Sequence, residues 1–187
     1  MRRFSALLLP IALALAACGG QDPAASPPDE TGVPVKGVDR SQKGRLAPET
    51  AFNDPDGGEI SLADFKGSPV LVNLWATWCA PCVKELPTLD ALARRHAVGG
   101  SIGIIAVSQD MGPHNSVRAF LERLKLSEIG AYHDPKMALS GALGAEVLPT
   151  TILFDSEGRE LWRYVGDLDW TGEEAARLLA EAAPGRA

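Results

Sequence analysis

Two stretches of the chain are almost continuously apolar and rich in β-branched residues. They cover residues 69–75 and 101–107, and runs of this length and composition are typical of central strands buried on both faces. Turn-forming residues separate two further pairs of short apolar segments, which are 51–53 and 59–61, and 150–154 and 160–165. We therefore predict two buried strands and two β-hairpins.

Helical periodicity marks the segments between and after these strands. In residues 83–97 the apolar residues recur at helical spacing, and Pro87 is predicted to kink the helix. Further helices are predicted at 115–124, at 136–143 with Gly144 as its stop, and at 173–183 with Thr171 as its N-cap. The order of elements predicts an α/β fold with a mixed central sheet flanked by helices and an N-terminal β-hairpin.

The first 18 residues have the pattern of a bacterial export signal. Two arginines precede an apolar run over residues 4–17, which is shorter than the roughly 20 residues of a membrane span. The run ends in Leu15-Ala-Ala-Cys18, which resembles the lipoprotein cleavage box, where a diacylglycerol is attached to the cysteine. We predict a signal peptide over 1–17 and lipidation of Cys18, with an uncleaved signal anchor or an ordinary export signal as alternatives. Each places the protein outside the cytoplasm, and lipidation makes it a membrane-anchored lipoprotein on the periplasmic side.

Residues 18–45 differ in composition from the rest of the chain. They are rich in Pro, Gly, Ala and charged residues and show no apolar periodicity, which is typical of a linker. We interpret them as a lipid-anchored flexible tether, and residues 46–187 as one domain of ordinary size. The net charge of −6 argues against nucleic acid as a partner, because a phosphate-binding surface needs clustered Lys and Arg.

The chain has three cysteines, and if Cys18 carries the anchor, Cys79 and Cys82 remain as a C-x-x-C pair. The loop that this pair closes is too small for its disulfide to stabilise the fold much. The pair lies between a predicted strand and a predicted helix, so Cys79 stands at the helix N-terminus. Backbone N–H groups and the helix dipole there lower a thiol pKa from about 8.5 to between about 3.5 and 7.5. We therefore expect Cys79 to be the nucleophile and Cys82, one turn later, to resolve the mixed disulfide.

The residues around this pair are Asn73-Leu-Trp-Ala-Thr-Trp-Cys-Ala-Pro-Cys82, followed by Val83-Lys-Glu-Leu-Pro87. They resemble the thioredoxin superfamily and, within it, the TlpA/ResA-like thiol–disulfide oxidoreductases. The resemblance extends from Leu46 essentially to the C-terminus. It implies a thioredoxin-like fold and a redox-active disulfide between Cys79 and Cys82. It also implies that no cofactor is needed, because electrons move by thiol exchange.

The resemblance gives roles to residues outside the pair. Val147-Leu-Pro-Thr150 resembles the family's cis-proline loop, so Leu148 and Pro149 are expected to bind substrate beside the disulfide. Glu85 matches an acidic residue that tunes the cysteines or handles their protons, whereas the sequence alone favours a solvated first-turn carboxylate. Thioredoxin itself has an aspartate where this chain has Asn73, and an amide is unable to accept the proton from Cys82.

Two tryptophans flank the loop before Cys79. Trp75 is assigned to the core. Trp78 has two interpretations: an ordinary surface aromatic, or part of an apolar rim around Cys79 on which a substrate docks. We expect the second.

The family resemblance also implies substrates and partners. It favours a reductase of disulfides in exported proteins, such as apocytochrome c or copper-site assembly proteins, and hence a role in cytochrome c biogenesis. A membrane electron-donor oxidoreductase must then regenerate the reduced form. A disulfide-inserting oxidase or isomerase with the same motif stays open as an alternative. So does a non-catalytic copper metallochaperone that uses Cys79, Cys82 and His133.

Overall fold

The computed structural model of the protein describes residues 35–97 and 102–182. The predicted signal peptide, Cys18 and most of the predicted tether lie outside these residues. The strands of the described part are β1 (Gly37–Asp39), β2 (Phe52–Asn53), β3 (Glu59–Ile60), β4 (Val70–Trp75), β5 (Gly103–Ser108), β6 (Tyr132–His133), β7 (Thr150–Phe154) and β8 (Glu160–Val165). The helices are α1 (Ala80–Ala97), α2 (His114–Arg123), α3 (Ala138–Leu143) and α4 (Glu173–Leu179), with short 3₁₀ helices at Leu62–Phe65 and Ala180–Ala182.

The strands form one mixed sheet in the order β1-β8-β7-β4-β5-β6-β2-β3. Strand β4 runs parallel to β5 and antiparallel to β7, and β5 runs parallel to β6. The remaining pairs are antiparallel, including the predicted hairpins β2–β3 and β7–β8. The predicted mixed α/β sheet with an early hairpin is confirmed.

Strand β4 separates the two halves of the core. All six of its residues are buried, and its side chains alternate between the two faces of the sheet. Leu71 and Trp75 pack with α1, α2 and α4, whereas Val70, Val72 and Leu74 pack with α3 and the first 3₁₀ helix. Asn73 has the same parity as Leu71 and Trp75, so it faces α1.

The carboxyl end of β4 gathers three segments of chain at one edge of the sheet. The register places Leu74 opposite Thr150 at the start of β7, and Thr150 opposite Val165 at the end of β8. The loop from β4 to α1, the turn before β7 and the segment after β8 therefore meet there. This edge carries both cysteines.

The predicted tether overlaps the folded domain. Strand β1 lies within residues 18–45, and it pairs with Val165, Tyr164 and Arg163 of β8. Further along, the Gly44 N–H donates to the Glu160 carbonyl oxygen at 2.7 Å. The described chain therefore takes part in the sheet from residue 37, before the predicted domain boundary at 46. A three-residue strand with one large apolar side chain, Val38, is too short to show a hydrophobic period.

Some local predictions are wrong in detail. Thr171 does not cap α4, because Gly172 holds the N-cap position and the Thr171 hydroxyl donates to Asp169 instead. Helix α1 begins at Ala80 rather than at the predicted residue 83, and Pro87 lies inside it. Gly144 ends α3 in the left-handed conformation, as predicted. Within residues 35–97 and 102–182, no helix combines the length and apolar character that crossing a membrane requires.

We expect a chain that begins at residue 46 to be less stable than one that begins at residue 35. Loss of β1 removes its pairing with β8 and the ion pair between Lys36 and Asp167. Each backbone hydrogen bond contributes about 0.5–1.5 kcal/mol net, so the free energy of unfolding should fall by about 2–4 kcal/mol. Urea unfolding of both chains measures the difference, and equal midpoints would contradict the ordered role of residues 37–45.

Candidate active site

Cys79 and Cys82 form a disulfide at the start of α1. The Cys79 carbonyl oxygen accepts the first helical hydrogen bond from the Val83 N–H at 3.0 Å, so Cys79 immediately precedes the helix. The Cys82 N–H points at the Cys79 sulfur, 3.3 Å away. Pro81 fits the first turn because the N–H group that proline lacks would have no acceptor within the helix at this position. The predicted placement of Cys79 at a helix N-terminus is confirmed.

The two sulfurs differ in their access to solvent. Cys79 is 6% exposed and Cys82 is fully buried. Trp78, directly before Cys79, is 68% exposed, whereas Trp75 is fully buried in the core as predicted. A reacting molecule therefore reaches the Cys79 sulfur first, beside an exposed indole ring.

Glu85 lies on the buried face of α1 rather than in solvent. It is 3% exposed, and it stands one helical turn after Cys82 on the buried face of α1. Its Oε1 accepts from Asn73 Nδ2 at 2.8 Å, and its Oε2 accepts from the Leu168 N–H at 2.9 Å and from Trp170 Nε1 at 3.3 Å. The interpretation of Glu85 as a solvated first-turn carboxylate is wrong.

Burial raises the pKa of Glu85 from 4.5 to about 7. The hydrogen bonds from Leu168, Asn73 and Trp170 act in the opposite direction, because they stabilise the charged form. The nearby Asp167 carboxylate adds to the rise. Hydrogen bonding to Lys36 is the main reason that the pKa of Asp167 itself is lowered. A second lysine, Lys84 of α1, contacts the same carboxylate at 3.3 Å.

Asn73 connects Glu85 to strand β7. Its Nδ2 donates to Glu85 Oε1 and also to Thr151 Oγ1, each at 2.8 Å. Its Oδ1 is buried, and no group within residues 35–97 and 102–182 donates a hydrogen bond to it. Both of the amide's donors are thus committed, one to α1 and one to β7.

The Leu148–Pro149 peptide bond is cis, and it lies just before β7. The Pro149 carbonyl oxygen accepts from the Gly166 N–H at 2.8 Å, which ties the turn to the end of β8. Pro149 is buried and Leu148 is half-buried. The register places this turn at the same edge of the sheet as the disulfide.

His133 is buried and hydrogen-bonded near the end of β5. Its ring is 1% exposed, and its Nε2 donates to the Asp110 carbonyl oxygen at 2.7 Å. Among residues 35–97 and 102–182, no group of three or more His, Cys, Asp or Glu side chains is arranged to hold a metal ion.

The sequence reasoning missed several contacts around the site. Asp110 accepts two hydrogen bonds from Thr77, and Leu168, Trp170 and Thr151 complete the surroundings of Glu85 and Asn73. These partners lie far apart in the chain. Only Asp110 could have been suspected from the sequence, because it lies two residues after the end of β5, and the carboxyl ends of parallel strands meet at one edge of a sheet.

The geometry is suited to thiol–disulfide exchange. It provides a slightly exposed cysteine before a helix, a fully buried cysteine one turn later, and a carboxyl group with a pKa of about 7 one further turn along the same helix.

Comparisons with known proteins agree with this chemistry. A protein-family profile described as Redoxin matches residues 42–179. The thiol–disulfide oxidoreductase ResA of Bacillus thuringiensis (strain Al Hakam) is 33% identical over 146 residues, which are 78% of this chain and 82% of that protein. The thioredoxin-like protein YneN of Bacillus subtilis (strain 168) is 31% identical over 63% of this chain and 68% of its own.

Solved structures share the fold. A structure described as the thiol:disulfide interchange protein DsbE of Chlorobium tepidum has a TM-score of 0.66 and 27% identity, and it covers 75% of this chain and 96% of its own. A thiol–disulfide oxidoreductase structure from Bacteroides vulgatus has a TM-score of 0.65 and 30% identity, over 77% of this chain and 99% of its own. The chain belongs to the Redoxin family, as a TlpA/ResA-like thiol–disulfide oxidoreductase of the thioredoxin superfamily.

Proposed function

We propose that this oxidoreductase reduces disulfides in exported proteins, with Cys79 as the attacking thiol and Cys82 as the resolving thiol. The observation that carries the proposal is the unequal access of the two sulfurs. Cys79, just before α1, is 6% exposed, while Cys82 is fully buried one turn later. A client disulfide can therefore be attacked from Cys79, and the mixed disulfide is then within reach of an internal thiol.

The proposed cycle transfers two electrons. The Cys79 thiolate attacks one sulfur of the client disulfide, which breaks the client's S–S bond and releases one client thiolate. Cys82 then loses its proton and attacks the Cys79 sulfur. This step releases the second client thiolate, which takes up a proton, and leaves the Cys79–Cys82 disulfide. A membrane electron-donor oxidoreductase with a dithiol restores the reduced pair.

Glu85 is our candidate for handling the proton of Cys82. It lies on the same face of α1 one turn away, and a carboxyl group with a pKa of about 7 both accepts and releases protons near neutral pH. Asn73 is unable to take this role because an amide does not titrate. In this proposal Asn73 holds the Glu85 carboxylate in place instead.

Trp78, Leu148 and Pro149 are our candidates for the substrate-binding surface. The indole ring of Trp78 is exposed directly beside Cys79, and the cis-proline turn lies at the same edge of the sheet. We propose that an extended client segment lies along this turn with its disulfide at Cys79. The export-signal pattern over residues 1–17 supports an exported client, and apocytochrome c or a copper-site assembly protein is our proposal for it.

We also propose that the protein is an extracytoplasmic lipoprotein. The signal pattern over residues 1–17 and the box that ends in Cys18 support this location. We expect the intact mass of protein purified from the membrane fraction to match a chain that begins at Cys18 with an attached diacylglycerol. A chain that still begins at Met1, or that was cleaved at another position, would contradict lipidation.

Replacement of the resolving thiol should trap the clients. In the variant Cys82→Ala, attack by Cys79 still occurs, but no internal thiol releases the mixed disulfide. We expect disulfide-linked partners to accumulate on Cys79 in cells and to be identified by mass spectrometry. The matched variant Cys79→Ala should trap far fewer, because its remaining sulfur is buried. Equal trapping by the two variants contradicts the assigned order of attack.

The trapped partners also report the direction of electron flow. Reduced Cys79 captures proteins that carry a disulfide, so a reductase should capture exported clients. Capture of a disulfide-generating oxidase alone would indicate a disulfide-inserting enzyme.

Adding Trp78→Ala to Cys82→Ala should lower the yield of trapped clients. Adding Leu46→Ala should not, because Leu46 is similarly exposed at 58% but pairs with Arg159 near the opposite end of the sheet.

The buried Glu85 carboxyl should make stability depend on pH. Its pKa is about 7 in the folded protein and near 4.5 when unfolded, so the folded state holds more protons between these values. Its contribution to stability is therefore fully present below about pH 4.5 and is lost as the pH rises to about 7. The loss amounts to about 3 kcal/mol, because one pKa unit corresponds to about 1.4 kcal/mol.

The variant Glu85→Gln removes this titration and keeps the side-chain volume. Rotation of the Asn73 amide would turn its unpartnered Oδ1 toward the new amide, so the site can accommodate Gln. Denaturant unfolding at pH 5 and pH 8 should show a steeper fall with pH in the wild type than in Glu85→Gln. The control Glu157→Gln, at an exposed position, should behave as the wild type. An unchanged pH dependence in Glu85→Gln contradicts the raised pKa.

A further inference from the structure

Asp110 joins the loop that carries Cys79 to the end of β5. Its Oδ2 accepts from the Thr77 N–H at 3.0 Å, and its Oδ1 accepts from the Thr77 hydroxyl at 2.7 Å. The buried Ser108 hydroxyl donates to Oδ2 at 2.7 Å. One carboxylate thus holds both polar groups of Thr77, two residues before the disulfide.

Asp110 is itself fixed from the neighbouring strand. His133 of β6 donates from Nε2 to the Asp110 carbonyl oxygen at 2.7 Å, and its ring is almost fully buried. The Asp134 N–H donates to the Ser108 carbonyl oxygen at 2.8 Å, which extends the pairing of β5 with β6. The Asp110 carboxylate therefore has little freedom to follow a displaced loop.

The loop between β4 and α1 depends on this contact. Trp75 ends a strand that is paired on both sides, and α1 is packed on the core from Cys82 onward. In the described part of the chain, the side-chain hydrogen bonds of residues 76–78 are the ones that end on Asp110. The Cys79 N–H donates to the Ala76 carbonyl oxygen at 3.1 Å, and this turn places Cys79 directly before the helix.

We propose that Asp110 is a positioning residue, which holds the Thr77 end of the loop so that the Cys79 sulfur stays at the N-terminus of α1. The inference rests on the proposed role of Cys79 as the attacking thiol. The N–H groups of the first helical turn stabilise a thiolate only when the sulfur is aligned with them, within the first turn. Release of the loop should therefore lower the thiolate fraction of Cys79.

The direction in which the thiolate fraction of Cys79 changes distinguishes positioning from a direct effect of charge. A negative carboxylate near a thiol disfavours the thiolate. If Asp110 acted through its charge alone, its removal would increase the thiolate fraction of Cys79. Thr77→Val, which keeps that charge, would then have no effect. If Asp110 acts by positioning, removal of either partner lowers the thiolate fraction.

The test measures alkylation of the reduced full chain by iodoacetamide across pH, with the modified cysteine identified by mass spectrometry. In Asp110→Ala, we expect the rate at Cys79 near pH 6 to fall about two- to fivefold, because the thiolate loses its stabilisation by the helix N-terminus. The pH midpoint of the profile should move upward. Thr77→Val should also lower the rate and raise the pH midpoint, but by less than Asp110→Ala, because the backbone N–H of residue 77 still reaches Asp110.

Asp64→Ala is the matched control. The Asp64 carboxylate also accepts an N–H and a hydroxyl from one residue, Ser61, each at 2.8 Å. It lies before β4, at the opposite end of the sheet from the cysteines. We expect the alkylation profile of Asp64→Ala to match the wild type.

The remaining outcomes are decisive as well. Faster alkylation in Asp110→Ala, or loss of stability in both variants with an unchanged profile, overturns the inference. If Asp110→Ala does not fold, the profile of Thr77→Val decides alone. If Cys82 is alkylated before Cys79 in the wild type, the proposed order of attack is wrong. If Cys79 reacts first but its profile is unchanged in the variants, only the positioning role of Asp110 is wrong.

Discussion

The carboxyl group of Glu85 lies where three parts of the fold meet. It belongs to α1, it accepts from Asn73 of β4, and it accepts from Leu168 and Trp170 in the segment after β8. A buried carboxylate without partners would cost several kcal/mol, so these donors have to be present before the helix can pack with Glu85 facing inward. The position of the helix that begins at the cysteines is therefore linked to the positions of β4 and of the segment after β8.

Strand β4 makes this arrangement feasible because its neighbours cover both edges and both faces. Its alternation sends large apolar side chains to either face and leaves one polar residue, Asn73, in the layer beneath α1. An amide at that place supplies two donors without adding a charge. The carboxyl group of Glu85 is then the titrating group of the buried cluster, and its pKa lies where thiol chemistry needs a proton acceptor.

Long regular elements and motif chemistry were predictable from the sequence. Strand β4 shows a continuous apolar run, and the C-x-x-C pair directly follows it. The burial of Glu85 was not predictable from its own surroundings, because a carboxylate in the first turns of a helix is usually solvated. Strands β1 and β6 have three and two residues, too few for a period to appear. The contact of Asp110 with Thr77 joins residues 33 positions apart, and no local pattern in the chain encodes it.

The early strand β1 determines how the preceding chain approaches the domain. Its first residue pairs with Val165, at the edge of the sheet that carries the disulfide. Lys36, just before it, and Lys84 of α1 bind the same Asp167 carboxylate. The described chain therefore enters the sheet beside the reactive disulfide, and not at the opposite end of the sheet.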